Sequence, residues 1–141
     1  SLALTFRHFR VGASASRNEG AGIARRDVVG AFGGFGLGRL AVLGEIDQIL
    51  DRPVTGSQLE QIAAFVEGDF LLAKGINAKA TYGWFDKSRA IAEDERVRMR
   101  FGLEIFPVGF LRAAAFYTAD LWIPQATTAI DRVSIELQLH F

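Results

Sequence analysis

The stretch DRVSIELQLHF, Asp131 to Phe141, decides the fold. Val133, Ile135, Leu137, Leu139 and Phe141 fall on one side, and Arg132, Ser134, Glu136, Gln138 and His140 on the other. Side chains alternate faces along a strand, so this is a strand with one apolar and one polar face. The apolar set is entirely aliphatic or aromatic and runs to Phe141 without a polar tail. Such an edge invites aggregation in water. In a barrel within lipid, closure of the backbone ladder removes the edge.

Those residues carry a family resemblance. An alternating terminal strand ending in Phe resembles the closing strand of bacterial outer-membrane β-barrel proteins. The resemblance implies that Phe141 and the residues before it form the signal read by the barrel-assembly machinery. It also implies a location in the bacterial outer membrane, in contact with its lipid and lipopolysaccharide. A second likeness lies in GINAKATYGWFD (Gly75–Asp86), IPQ (Ile123–Gln125) and ELQLHF (Glu136–Phe141). Together they are similar to the C-terminal part of larger outer-membrane barrels encoded with multihaem cytochromes. That likeness implies a barrel segment in a multiprotein complex, with the cytochrome as a separate partner.

The 141 residues suit one domain. Half are hydrophobic, yet no run approaches the roughly 18 apolar residues that a membrane helix needs. A membrane role therefore requires strands. Sixteen basic residues match 16 acidic ones, leaving no cationic excess to neutralise phosphates, and no nucleic-acid partner is expected. The absence of cysteine rules out disulfides, thiolate metal ligands and CxxCH haem attachment within this sequence. No cofactor is expected. No signal peptide is visible, and a chain beginning at Ser1 reads as a mature form or a fragment.

Taken in order, the sequence predicts about eight strands. Leu2 to Ser16 is the first, with a phase slip at Arg7–His8 that predicts a bulge. A polar loop over Arg17–Arg26 leads to Asp27–Gly36, and a turn at Leu37–Arg39 leads to Leu40–Ile49. A loop through Pro53 and Gly56 precedes Gln58–Lys74, where Ser57–Glu67 also suits a helix. Asn77–Phe85, Arg96–Phe106 and Phe110–Thr118 follow, then a loop over Ala119–Ile130 and the closing strand. Connections alternate long and short, the asymmetry of outer-membrane barrels. Tyr82, Trp84 and Tyr117 near one end, with Phe70 and Phe141 near the other, suit two aromatic girdles. The expected fold is an all-β, antiparallel, up-and-down transmembrane barrel.

Alternation does not say which face is inside, because a lipocalin-like soluble barrel points its apolar face inward. The charges favour the reverse. Glu45, Asp47, Glu67, Asp69, Glu104 and Glu136 balance Lys79, Arg96, Arg98, Arg100, Arg112 and Arg132. Ignoring shear, acids and arginines meet at one level. A neutral, charge-paired interior suits a narrow barrel filled by side chains. Val97, Met99, Phe101, Leu103, Val133, Ile135, Leu137 and Leu139 then face lipid.

The pairs Glu45/Asp47 and Glu67/Asp69 have the chemistry of a divalent-cation or acid–base site, but inward acids of this kind are expected to be structural ion pairs. The arginine ladder Arg96/Arg98/Arg100 selects anions in an open pore or serves as counter-charge in a closed one. His8 and His140 are too few for a metal site, and GAFGGFGLG (Gly30–Gly38) lacks the GK[ST] of a phosphate loop. No catalytic or metal site is expected. The charged loop Ala92–Arg96 is expected to be a solvated loop, with contact to lipopolysaccharide through bridging cations as the alternative. The expected function is a non-enzymatic barrel serving as membrane anchor, scaffold or narrow channel. The alternatives are a segment of a larger porin or conduit, and a soluble lipocalin-like ligand-binding barrel.

Overall fold

The computed structural model describes residues 1–20, 23–92, 94–123 and 130–139. Its strands are β1 (Leu2–Thr5), β2 (Phe9–Gly20), β3 (Ile23–Leu37), β4 (Leu40–Pro53), β5 (Leu59–Ala73), β6 (Ile76–Asp86), β7 (Glu95–Val108), β8 (Leu111–Ile123) and β9 (Ile130–Leu139). They form one nine-stranded sheet in which each strand pairs antiparallel with its sequence neighbours. The fold is therefore all-β and up-and-down, as the alternation predicts. Two expectations are corrected. Among the described residues there are nine strands rather than about eight, and their sheet is not closed into a barrel.

The extra strand comes from Arg7–His8. The phase slip there is a chain reversal, not a bulge: the Phe6 amide donates to the Phe9 carbonyl at 2.8 Å, and Leu2 pairs with Ala13. A bulge and a turn both place Phe6 and Phe9 on one side. Only the long-range pairing separates them. The two rings stack with centroids 4.3 Å apart. The Ser57–Glu67 stretch is strand from Leu59, because the row of β4 partners gives its backbone a ladder that overrides helix propensity.

The strands also outrun their predicted ends on the loop side. Gly20 pairs with Ile23, so most of the expected Arg17–Arg26 loop is strand. Likewise, Ala119–Ile123 belongs to β8 rather than to a loop. On the opposite side, two-residue connections join Leu37 to Leu40, Ala73 to Ile76 and Val108 to Leu111. Gly38 (φ 60°) and Gly75 (φ 77°) supply the left-handed conformation that tight hairpins require. The longer connections, 54–58 and 87–94, lie at the other end of the strands.

Close packing on the polar side depends on missing side chains at Gly12, Gly30 and Gly102. A Cβ on Gly102 would stand 2.2 Å from the Phe116 ring and 2.3 Å from the Ala115 carbonyl oxygen. Phe116 is only 2% exposed, so it has no room to retreat. Gly102→Ala is expected to cost about 1–3 kcal/mol by overpacking, read from equilibrium urea unfolding. Phe116→Leu in the same chain should recover part of that loss, since backbone still crowds the site.

Candidate functional site

The register places the twelve residues of the predicted charge network on one face. Glu67, Thr81, Arg100, Thr118 and Arg132 share one cross-strand row, and Glu45, Phe65, Gly83, Arg98 and Asp120 share the next. This face is the shielded one. Glu104, Thr118 and Asp120 are 7%, 7% and 2% exposed. The opposite face carries the aliphatic set and is open, with Val133, Ile135 and Leu137 exposed to 73%, 84% and 72%. Val97 is an exception: it lies on the apolar face but is buried, flanked by its cross-strand partners Trp84 and Leu121.

Two ion-pair clusters occupy the polar face. In the first, the Lys79 ammonium sits 3.0 Å from Glu67, 3.4 Å from Asp69 and 3.9 Å from Glu104. The pair Glu67/Asp69 thus already holds a cation, the lysine itself. Arg112 bridges Glu104 and Glu136. The Arg100 guanidinium lies across the Phe116 ring, 3.6 Å from its centroid, and donates to Glu136 two strands away. The stacking adds a cation–π term to the ion pair.

The second cluster is built on Asp120. Arg98 Nε donates to it at 2.6 Å, with Arg96 at 3.2 Å and Arg132 at 3.7 Å. Asp120 is a counter-ion outside the predicted network, because it lies on the part of β8 that outruns the expected strand end at Thr118. The sequence signal is weak: Arg112, Thr118 and Asp120 share one parity, but Ala114 and Phe116 between them are apolar.

Glu45 and Asp47 form no ion pair among the described residues. Glu45 shares a row with Arg98, but β4 and β7 are three strands apart, roughly 14 Å at about 4.8 Å per step. Meeting at one level does not bring these charges together in an open sheet. A groove of about 470 Å³ runs beside Arg96, Arg98 and Arg100, with Phe65, Thr81 and Gly83 on its other side. Its guanidiniums can attract anions, although Asp120 and Glu136 already take up much of their charge. No group of three or more His, Cys, Asp or Glu is placed to hold a metal ion among the described residues. His140 and Phe141 lie outside the described residues, as do parts of the Ala92–Arg96 and Ile123–Gln125 motifs.

The apolar face ends at a charged rim on the loop side. There Asp27 receives hydrogen bonds from Arg25 at 2.9 Å and Arg17 at 2.8 Å, which pull its carboxyl down to about 2. Glu60 accepts from Arg89 at 2.9 Å and from Gln48 at 2.7 Å, and its carboxyl is likewise lowered, first by Arg89. Near them on the polar side, Arg26 donates through Nη2 to Asp51 at 2.6 Å. At the short-turn end, Phe9 and Phe35 are cross-strand partners on the apolar face. The apolar band is thus bounded by aromatics below and by ion pairs above.

Neither a family model, a curated protein nor a solved structure matches this chain.

Proposed function

We propose that the chain forms the wall of a non-enzymatic β-barrel in the bacterial outer membrane, its aliphatic face against lipid and its charge-paired face toward the lumen. In this role it serves as anchor, scaffold or narrow channel. The observation that carries the reading is the inversion of burial. Many large hydrophobic side chains are exposed, above all on the aliphatic face, whereas the shielded set, beside Phe116 and Val97, includes Asp51, Glu104, Thr118 and Asp120. Water would not tolerate a continuous apolar surface of this extent. Hydrocarbon would favour it, and strands of these lengths can cross the apolar layer when tilted. A soluble lipocalin-like barrel would bury Ile135 and Leu137, so their exposure speaks against that alternative. Lipid, lipopolysaccharide and the barrel-assembly machinery are the partners this reading implies.

A second reading, a segment of a larger conduit partnering a multihaem cytochrome, draws support from the open sheet. Backbone groups at a free edge have no hydrogen-bond partner in hydrocarbon, so further strands would have to cover them.

The test is reconstitution into phosphatidylcholine vesicles carrying brominated acyl chains, in a Trp122→Phe background. Trp84 lies on the apolar face, and its fluorescence is expected to be quenched. A chain that stays monomeric in water without detergent, with Trp84 unquenched on vesicle addition, would sink the proposal. Planar-bilayer conductance then separates an anchor from a channel.

A further inference from the structure

Each strand runs opposite to its neighbour through nine strands, so β1 and β9 point the same way. Joined directly, they would form a parallel ladder, alone in an antiparallel sheet. The pairing of β9 with β2 would be antiparallel, but β1 already occupies that edge of β2 from Arg10 to Ala13. A second copy inserted in the same orientation does not help, because its β1 again runs parallel to β9.

The exposed edges themselves have the character of surfaces that expect a neighbour. On the apolar face Val133 is 73% exposed, whereas Tyr117, its partner one strand inward, is 44% exposed. Soluble edge strands are protected by proline, bulges or charges pointing into the apolar side. Among its described residues, β9 has no proline and pairs with β8 in unbroken register; Arg132 and Glu136 lie on the polar face, and Asp131, on the apolar face, sits at the loop-side end beside Tyr117, so Val133 to Leu139 carry no protecting charge on that face. At the other edge, Ser14 to Asn18 of β2 pair with β3 but with no residue of β1.

We infer that the sheet is completed by an odd number of further amphipathic β-strands, supplied by polypeptide outside these 141 residues. The strand beside β9 runs opposite to it, with its apolar side chains on the Ile135 face and its polar ones on the Arg132 face. The strand beside β1 runs opposite to β1. Only an odd insertion satisfies both joins with antiparallel ladders, and closure leaves no backbone group exposed to hydrocarbon. The inference rests on the membrane reading above.

The experiment compares three versions of the full chain in phosphatidylcholine nanodiscs. One is unaltered. One carries a single added strand after Phe141, a copy of the Leu111–Ile123 sequence behind a two-residue turn. One carries two added strands, copies of Leu111–Ile123 and then Ile130–Leu139. Hydrogen–deuterium exchange is read at Leu2–Thr5, and brominated-lipid quenching of Trp84 is read in the same samples. The single-strand version is expected to slow exchange at Leu2–Thr5 by about tenfold or more, with the other two unchanged. Protection in the unaltered chain, whether alone or as a dimer, would overturn the inference. So would equal protection from one and two strands, or none from one. Loss of Trp84 quenching in all three versions would instead sink the membrane reading itself.

Discussion

Replacing Asp120 by asparagine is expected to destabilise the folded protein by about 3 kcal/mol, measured by equilibrium urea unfolding from lipid vesicles. Three guanidiniums converge on this carboxylate, and it is 2% exposed. Removing one partner of a buried pair costs about 3–5 kcal/mol when the remaining charge is stranded. The expected value sits at the low end because the arginines keep contact with solvent: the Arg96, Arg98 and Arg132 side chains are 35%, 50% and 60% exposed. The amide can still accept one hydrogen bond from Arg98 Nε, but it no longer offsets the like charges around it. Glu136→Gln is the control. Its side chain is 39% exposed, and its loss is expected to cost only about 1 kcal/mol. Equal effects at Asp120 and Glu136 would mean that the Asp120 cluster is a surface network and not an organising element of the polar face.

An arginine scan along the apolar face of β7 is expected to give a peaked profile. Met99, Phe101, Leu103 and Ile105 follow one another on that face, and Phe101 lies near the middle of the strand and is 50% exposed. A charge at the bilayer midplane of a barrel costs about 2–4 kcal/mol, falling to about 0–1 near the interfaces. Phe101→Arg should therefore show the largest loss in vesicle-based unfolding, and Ile105→Arg, close to the Val108–Leu111 turn, a much smaller one. The same logic makes Val133, which shares the Phe101–Tyr117 row, a better midplane probe than Leu137, which pairs with Ala113 nearer the turns. Val97→Arg would report packing rather than lipid, since that side chain is buried. A flat profile, with every substitution near neutral, would show that water and not hydrocarbon faces these side chains.

The alternation of β7 and β9 was legible because each carries period-two patterning, with mostly large apolar residues on one side and mostly polar ones on the other, whereas alanines and Phe116 blur it in β8. That pattern alone determined the all-β class, the antiparallel order implied by short turns at Gly38 and Gly75, and the common face of Lys79, Arg98, Arg112 and Glu136. It failed where local sequence is compatible with two geometries. The slip at Arg7–His8 fits a bulge or a reversal, and the polar run Arg17–Arg26 fits a loop or a strand end above the apolar band. Asp120 was hidden by the same ambiguity, since a strand that continues past its apolar stretch looks like a loop. Counting charges gave a balanced set, yet pairing depends on which strands are adjacent. Asp120 reaches Arg98 across one ladder, whereas Glu45 is three strands from it. The number of strands and the open edges at β1 and β9 were likewise decided only by tertiary structure, because periodicity fixes which way a side chain points and says nothing about which backbone lies beside it.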